Sequence, residues 1–416
     1  MNRSEEKGMA HLQDDTRSLS NSYLPLGLLN FFVYGTLVIF AAFFQLYLKE
    51  IGMNMLEIGS LMAIGPLVSL FAHPLWRYFS DRSRNVRLIL LAMLVGLLII
   101  GHLVFKANTY SMLYLTMLLL FFFQSPLLAQ TNSLTLGMIE NTDRRFGTFR
   151  LWGSLGWTFI ALTAGPIIDA VGQNGTSFLF SLMLMLSIGS ALLLPRSQMT
   201  TNTPWITGRE MRLTLQNKYF LAFVGFGALV SIPNAINGIF MPLFMNDLGG
   251  SKLEVGGAIF LSTLFEIVVF VLLQRYVKTK ITYLMGCLTV VSLLFAIRWD
   301  LMGEATNPVQ IILIQVLHAI TFGGFFYVGT RLTGLFLPKP LRSAGQAVYT
   351  FALSGAAGVI AGFLGGWLFQ NFGPVAMYKL GVIMTLLGTI GFAFMWQILR
   401  VNGYTPAMAH TPPDEL

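Results

Sequence analysis

The stretch VRLILLAMLVGLLIIGHLV, residues 86–104, decides the fold class. Apart from Arg87 at its start and His102 near its end it is apolar, without the alternation of a half-buried strand. A helix needs about 20 such residues to cross the hydrocarbon of a bilayer, and this run has that length. Five further runs surround it in the first half of the chain: Leu24 to Leu48, Leu56 to Phe79, Tyr110 to Leu136, Phe146 to Val171 and Ser177 to Leu194. Six follow in the second half: Tyr219 to Met245, Leu253 to Val277, Ile281 to Ile297, Pro308 to Leu337, Ala344 to Phe369 and Val375 to Leu399. A β-barrel is excluded, because these runs are continuous and do not alternate over about ten residues.

Composition agrees with the runs. Only 11% of the 416 residues are charged and 55% are hydrophobic, with a mean hydropathy of +0.69. A soluble chain would carry roughly a quarter charged residues, so lipid must solvate much of this apolar surface. The net charge of +8 does not form one patch of the kind that would bind nucleic acid. It is distributed in short clusters that fall on alternate loops: Arg82, Arg84 and Arg87; Arg144 and Arg145; the central loop; Lys278 and Lys280; Lys339 and Arg342. The opposite loops hold little beyond Lys49, Lys106 and Lys252. Positive residues stay in the cytoplasm, which puts both termini inside the cell.

The expected organisation is a cytoplasmic tail over 1–22, a six-helix bundle over 23–194, a cytoplasmic loop over 195–217, a second six-helix bundle over 218–399 and a cytoplasmic tail over 400–416. The first twenty residues mix both signs of charge around no apolar core, so no cleavable signal peptide is expected. Thr405 to Leu416 reads as disordered. Cys287 is the single cysteine, which rules out an intrachain disulfide, and it reads as a small apolar helix residue.

The halves echo each other. Leu56-Glu-Ile-Gly59 opens span two and Leu253-Glu-Val-Gly256 opens span eight, and each run ends at an Arg-Tyr pair, Arg77-Tyr78 and Arg275-Tyr276. Span five, Gly153 to Gly156 through Gly172, matches span eleven, Gly355 to Gly358 through Gly373, more weakly. This is the pattern of a parallel duplication. Asn54-x-x-Glu57 and Ser251-x-x-Glu254 are capping boxes, so their glutamates are expected on backbone amides. Gly358, Gly362 and Gly366 recur at one-turn intervals and should let a second helix approach closely.

Charged groups within spans are costly, at least ~2.5 to 3.5 kcal/mol each, and so mark function first. Glu266 lies deep in span eight, thirteen residues from Leu253 and nine from Arg275. Its plainer reading is a protonated acid bonded to a neighbouring helix; the functional one is a proton carrier, because a carboxyl held from water can load on one side and unload on the other. Arg150, near the start of span five, either snorkels to the interface or faces a cavity and holds an anionic or hydroxyl-rich solute. His318 in span ten is a packing residue or a coupling and binding group. Arg298, beside Trp299 and Asp300, reads as an anchor at the outer surface. Gln124, Gln130 and Asn132 mark span four, and Asn234 and Asn237 share a face of span seven. Trp157 lies seven residues after Arg150, on its face, where an aromatic plate suits a sugar or base ring. His73 and His102 give no stronger signal. No GxxxxGK[ST] loop, HExxH or metal-ligand cluster is present, so ATP-driven transport and intramembrane proteolysis lack support.

These residues resemble the major facilitator superfamily, in the branch holding lactose permease, the nucleoside:proton symporters and the phenylpropionate permeases. Pro74-Leu75 through Ser80-Asp81-Arg82 resembles the superfamily's signature loop between spans two and three, with Asp81 and Arg82 as its conformational residues. Phe146-Gly147 through Arg150, Gly153 and Gly156-Trp157 resembles span five of lactose permease, and Leu317-His318 its span ten. The resemblance implies sugar contacts by the residues matching Arg150 and Trp157, a supporting role for His318, and a span-eight acid corresponding to Glu266. Departures are plain: Arg77 and Arg84 replace the signature glycines, Thr321 replaces the span-ten proton-carrying acid, and Gln130 or Asn132 stands near the span-four acid. Galactoside transport therefore does not carry over. Asn132-Ser-Leu134 and Asn234-x-x-Asn237 are nearer the nucleoside symporters.

The expectation is a twelve-helix, multi-pass protein of the cytoplasmic membrane that symports a small polar or aromatic solute with protons. Glu266 and His318 would couple protons. Arg150, Trp157, Asn132, Gln130, Asn234, Asn237 and His318 would bind the solute. It needs no cofactor beyond the proton gradient, holds no metal, is no enzyme, contacts only solute and membrane lipid, and works as a monomer. A proton-driven exporter is the alternative, suggested by Gly165-Pro166, although Asp169 and Ala170 replace the glycines that should follow. A non-transporting sensor on a carrier scaffold is the further one.

Overall fold

A computed structural model describes residues 3–140, 142–172, 174–195 and 206–404, with 3–22 as backbone only. The expected disorder of Thr405 to Leu416 and the middle of the central loop lie outside the described residues. Among the described residues the fold is helical with no strand, in keeping with the apolar runs.

The helices are α1 (Arg3–Ala42), α2 (Phe44–Glu50), α3 (Met55–Ser83), α4 (Val86–Lys106), α5 (Tyr110–Gln124), α6 (Leu127–Ile139), α7 (Phe146–Val171) and α8 (Gly175–Leu192). They continue with α9 (Gly208–Gln216), α10 (Lys218–Asp247), α11 (Lys252–Tyr276), α12 (Ile281–Gly303), α13 (Pro308–Ile314), α14 (Val316–Phe336), α15 (Arg342–Thr350) and α16 (Ala357–Asn402). A π-helical turn, Phe351–Ala356, joins α15 to α16. Among the described residues, eleven helical stretches are long and apolar enough to cross a membrane. The last runs from Lys339 to Asn402 and is broken at Gly373, whose φ of +80° no ordinary side chain tolerates.

Local chemistry sets the ends. Asn85 accepts from Leu88 N at 3.1 Å to start α4, and Asn217 accepts from Phe220 N at 3.0 Å to start α10. Both capping boxes form: Glu57 accepts from Asn54 N at 2.9 Å and Glu254 from Ser251 N at 2.8 Å. Arg87 closes the C-terminus of α8, donating to Ala191 O and Leu192 O at 2.9 and 2.7 Å. The duplication is visible in the backbone: Gly52 and Gly249 precede α3 and α11 at equivalent places with φ of +91° and +83°, and Gly172 and Gly373 turn at +82° and +80°.

The chain packs as two compact units, one of Met1–Phe40 with Val68–Asn202, the other of Ala41–Leu67 with Thr203–Leu416. In the first, Phe40 meets Phe121 and Phe180, Leu90, Leu94 and Leu97 of α4 are fully buried, and Trp76 Nε1 donates to Phe122 O at 2.9 Å. In the second, the core is Phe223 stacked on Tyr349 at 5.5 Å with Phe336 and Phe392 around them. Large apolar side chains remain exposed, for example Leu264, Val268, Val271 and Leu272 along α11, a face that suits lipid.

Within the second unit, α2 and the start of α3 lie against α10 and α16. Gly59 and Gly362 touch backbone to backbone: a Cβ on Gly59 would stand 2.1 Å from Gly362 O, and one on Gly362 2.3 Å from Gly59 O. The expected close approach along Gly358, Gly362 and Gly366 is therefore made, and its partner is the segment from Met55 to Pro66. Lys49 pairs with Asp247 and donates to Asn246 Oδ1 at 2.7 Å, and Lys252 pairs with Glu50 at 3.0 Å.

Candidate functional site

In the first unit, α7 presses against α1 because Gly153 and Gly156 carry no side chain. A Cβ at Gly153 would stand 2.7 Å from the Tyr34 ring, and one at Gly156 2.1 Å from Phe31 O. This brings the Arg150 guanidinium over the Tyr34 ring, 5.2 Å from its centre, where it donates to the Tyr34 hydroxyl. Arg150 is exposed, and among the described residues no carboxylate lies within ion-pair distance of it. Its charge is thus held in place by neutral groups. Trp157 lies two turns further along α7, partly exposed. On α6, Gln130 Oε1 and Asn132 Oδ1 are buried without a donor.

The signature-loop residues lie at the end of α3. Asp81 lies 3.7 Å from Arg77, and Arg84 adopts φ +50°, the left-handed conformation a glycine would take without strain.

The second unit holds a partly open cavity of about 270 Å³. Its walls are aromatic, from Phe295 on α12, Phe322, Phe325 and Phe326 on α14 and Tyr349 on α15. Ser231 and Asn234 on α10, with Thr350 and Ser354 at the π turn, add polar groups. Asn234 Oδ1 is buried and accepts from no protein donor. His318 stacks on Phe322 at 5.0 Å, nearly parallel, with Nδ1 buried and unbonded. Glu266 is half-buried on α11, and its Cγ would stand 3.7 Å from a Cβ at Gly323, the residue after the cavity-lining Phe322.

Asn237 is placed apart from Asn234. Its Oδ1 accepts from Tyr378 OH at 3.0 Å, both side chains being buried, so it joins α10 to α16 and does not line the cavity. Arg298 corrects the sequence reading outright: it is fully buried, not anchored at a surface. Nη2 donates to Gln315 Oε1 at 2.7 Å, the guanidinium lies 4.5 Å from the Trp299 ring centre, and Thr321 Oγ1 is 3.5 Å from Nη1. The α12 helix runs on to Gly303, and the acids at its end, Asp300 and Glu304, pair with Lys379. Gln315, which separates α13 from α14, was not singled out from sequence; nor were Ser231, Tyr349, Thr350 and Ser354. A polar residue in an apolar span was the available signal for each. Among the described residues no cluster of three His, Cys, Asp or Glu could hold a metal.

Known proteins are similar to this chain in sequence and in fold. The maltose permease of Geobacillus stearothermophilus is 25% identical over 375 residues, 90% of this chain and 93% of that one. A probable 3-phenylpropionic acid transporter of Escherichia coli (strain K12) is 26% identical over 379 residues, covering 88% and 95%. The crystal structure of the nucleoside transporter NupG superposes with a TM-score of 0.78 at 16% identity, covering 90% of this chain and 98% of that one. The profile described as the MFS_1 like family matches residues 23–380, so this chain belongs to that family of major facilitator superfamily transporters.

Proposed function

We propose that the protein is a proton-coupled symporter of the cytoplasmic membrane for a small polar or aromatic organic solute. The observation that carries this is Glu266, an acid within an otherwise uncharged stretch of α11, set against Gly323 of α14, the helix that also carries His318 and the cavity-lining Phe322. Relatives named for maltose, 3-phenylpropionic acid and nucleosides support the solute class. The break at Gly373 supports reading Lys339–Asn402 as two spans, which makes twelve with both termini cytoplasmic. Arg150, Trp157, Gln130 and Asn132 serve as the contacts of the first half, Asn234 and His318 as those of the second. The carrier works as a monomer by alternating access, without catalysis and with the proton gradient as its sole energy source.

The test is Glu266→Gln in right-side-out vesicles, with maltose, uridine and 3-phenylpropionate as solutes. Wild type should accumulate one of them while the medium becomes alkaline. The variant should lose both accumulation and alkalinisation yet still exchange solute across the membrane. Accumulation with alkalinisation in the variant would remove Glu266 from the coupling.

A further inference from the structure

We propose that the π turn Phe351–Ala356 is the selectivity element of the carrier, building with Asn234 a subsite for one uncharged ring that carries an N–H or O–H donor. This rests on the carrier reading above and names which part of the solute the second half takes. Three observations lead to it.

The first is charge. The cavity's lining contains no ionisable group other than the Tyr349 phenol. A carboxylate or ammonium brought there would lose water without gaining a counter-charge from the lining itself, which disfavours it relative to a neutral ring. The second is size. At about 270 Å³ the cavity lies at the lower edge of the ~300–1,000 Å³ of sites that bury a whole drug-sized ligand, so it is sized for one ring of a solute whose remainder extends out of it. Phe322 and Phe325 give that ring apolar faces to lie against.

The third is polarity. Asn234 Oδ1 is buried beside the cavity with no protein donor, an arrangement that a ligand donor would complete. On another wall the chain abandons α geometry for six residues. A π turn is rare and occurs frequently at functional sites. Here no proline forces it, and it carries Ser354, exposed, onto the cavity wall beside Thr350, the exposed last residue of α15. Two hydroxyls and one amide oxygen around an aromatic slot discriminate by donor pattern, because a ligand lacking the donor leaves Asn234 unpaired.

The experiment uses the full chain with Cys287→Ser and Ser354→Cys, reconstituted in nanodiscs, and follows labelling of residue 354 by a small maleimide. Uridine, whose ring is flat, uncharged and bears an N–H, should slow labelling at least tenfold. Maltose, which has no flat ring, and 3-phenylpropionate, whose ring has no donor, should slow it less than threefold. Asn234→Ala should abolish uridine protection while its thermal midpoint stays near the parent's. Thr350→Val gives a second check and should narrow the difference between the probes. Protection by maltose or 3-phenylpropionate equal to that by uridine, or protection by none of the three, would overturn the subsite. Uridine protection without proton-linked flux would instead overturn the symport reading and leave the subsite standing.

Discussion

Arg298 brings a full positive charge into the second unit with neutral partners only. Removing an ion from water costs several kcal/mol even after relaxation. Against this stand a charged hydrogen bond to Gln315, about 1.5–3 kcal/mol, and a desolvated contact with Trp299, about 2 kcal/mol. The terms nearly cancel, so the residue adds little net stability but ties three side chains to one another. The consequence is asymmetric. Arg298→Met should lower stability by about 1–3 kcal/mol, because Gln315 Oε1 is left buried without a donor. Adding Gln315→Leu should recover most of that loss. Thermal unfolding of both variants in detergent measures the pair, and a double variant weaker than Arg298→Met would disprove the pairing argument. The sequence misled here for a physical reason. Trp299 and Asp300 have the chemistry of a membrane interface, yet only Asp300 is exposed; Trp299 and Arg298 both face the interior.

The helices themselves were legible, since apolar length is a strong signal and capping boxes mark their starts. The duplication was legible too, and returns as paired glycines with positive φ. The interruptions were not. Ser125-Pro126, Gln315 and Phe351–Ala356 break long helices; the first carries a proline and the last a Ser354-Gly355 pair, but Gln315 has no local breaker. That one is set by what packs against it, which a single sequence does not display. Part of the candidate site shared this fate: Asn234 and Glu266 were found as polar groups in apolar runs, but the hydroxyls of the π turn and the loss of Asn237 to Tyr378 depend on packing. One contact tests this at the level of the element. Tyr349, two residues before the π turn, fits because Gly329 lacks a side chain, and a Cβ there would stand 1.9 Å from the Tyr349 hydroxyl. Gly329→Ala should therefore cost about 1–3 kcal/mol by overpacking. Tyr349→Phe alone should be neutral or stabilising by about 1 kcal/mol, because its buried hydroxyl has no partner. Combined with Gly329→Ala it should recover at least half the loss. Melting curves of the three variants decide it, and no recovery would place the strain elsewhere than in the α14–α15 contact.

At the scale of the molecule, the segment from Ala41 to Leu67 precedes most of the first unit in sequence but packs within the second. Two kinds of contact hold it there, and their magnitudes differ. The ion pairs of Lys49 with Asp247 and Lys252 with Glu50 are partly exposed, and such pairs contribute about 0.2–1 kcal/mol each, less in salt. The glycine seam brings two backbones into contact, with Gly59 and Gly362 each occupying the space of the other's absent side chain. Separating them would forfeit dispersion along the whole crossing, a loss that no surface pair offsets. The seam should dominate. Asp247→Asn should change the thermal midpoint little and lose even that effect at high ionic strength. Gly362→Leu should displace the segment, exposing a cysteine introduced at Ala63 to a maleimide that reaches it slowly in the parent with Cys287→Ser. If Asp247→Asn increased that labelling as much as Gly362→Leu, the charges and not the seam would hold the segment in place.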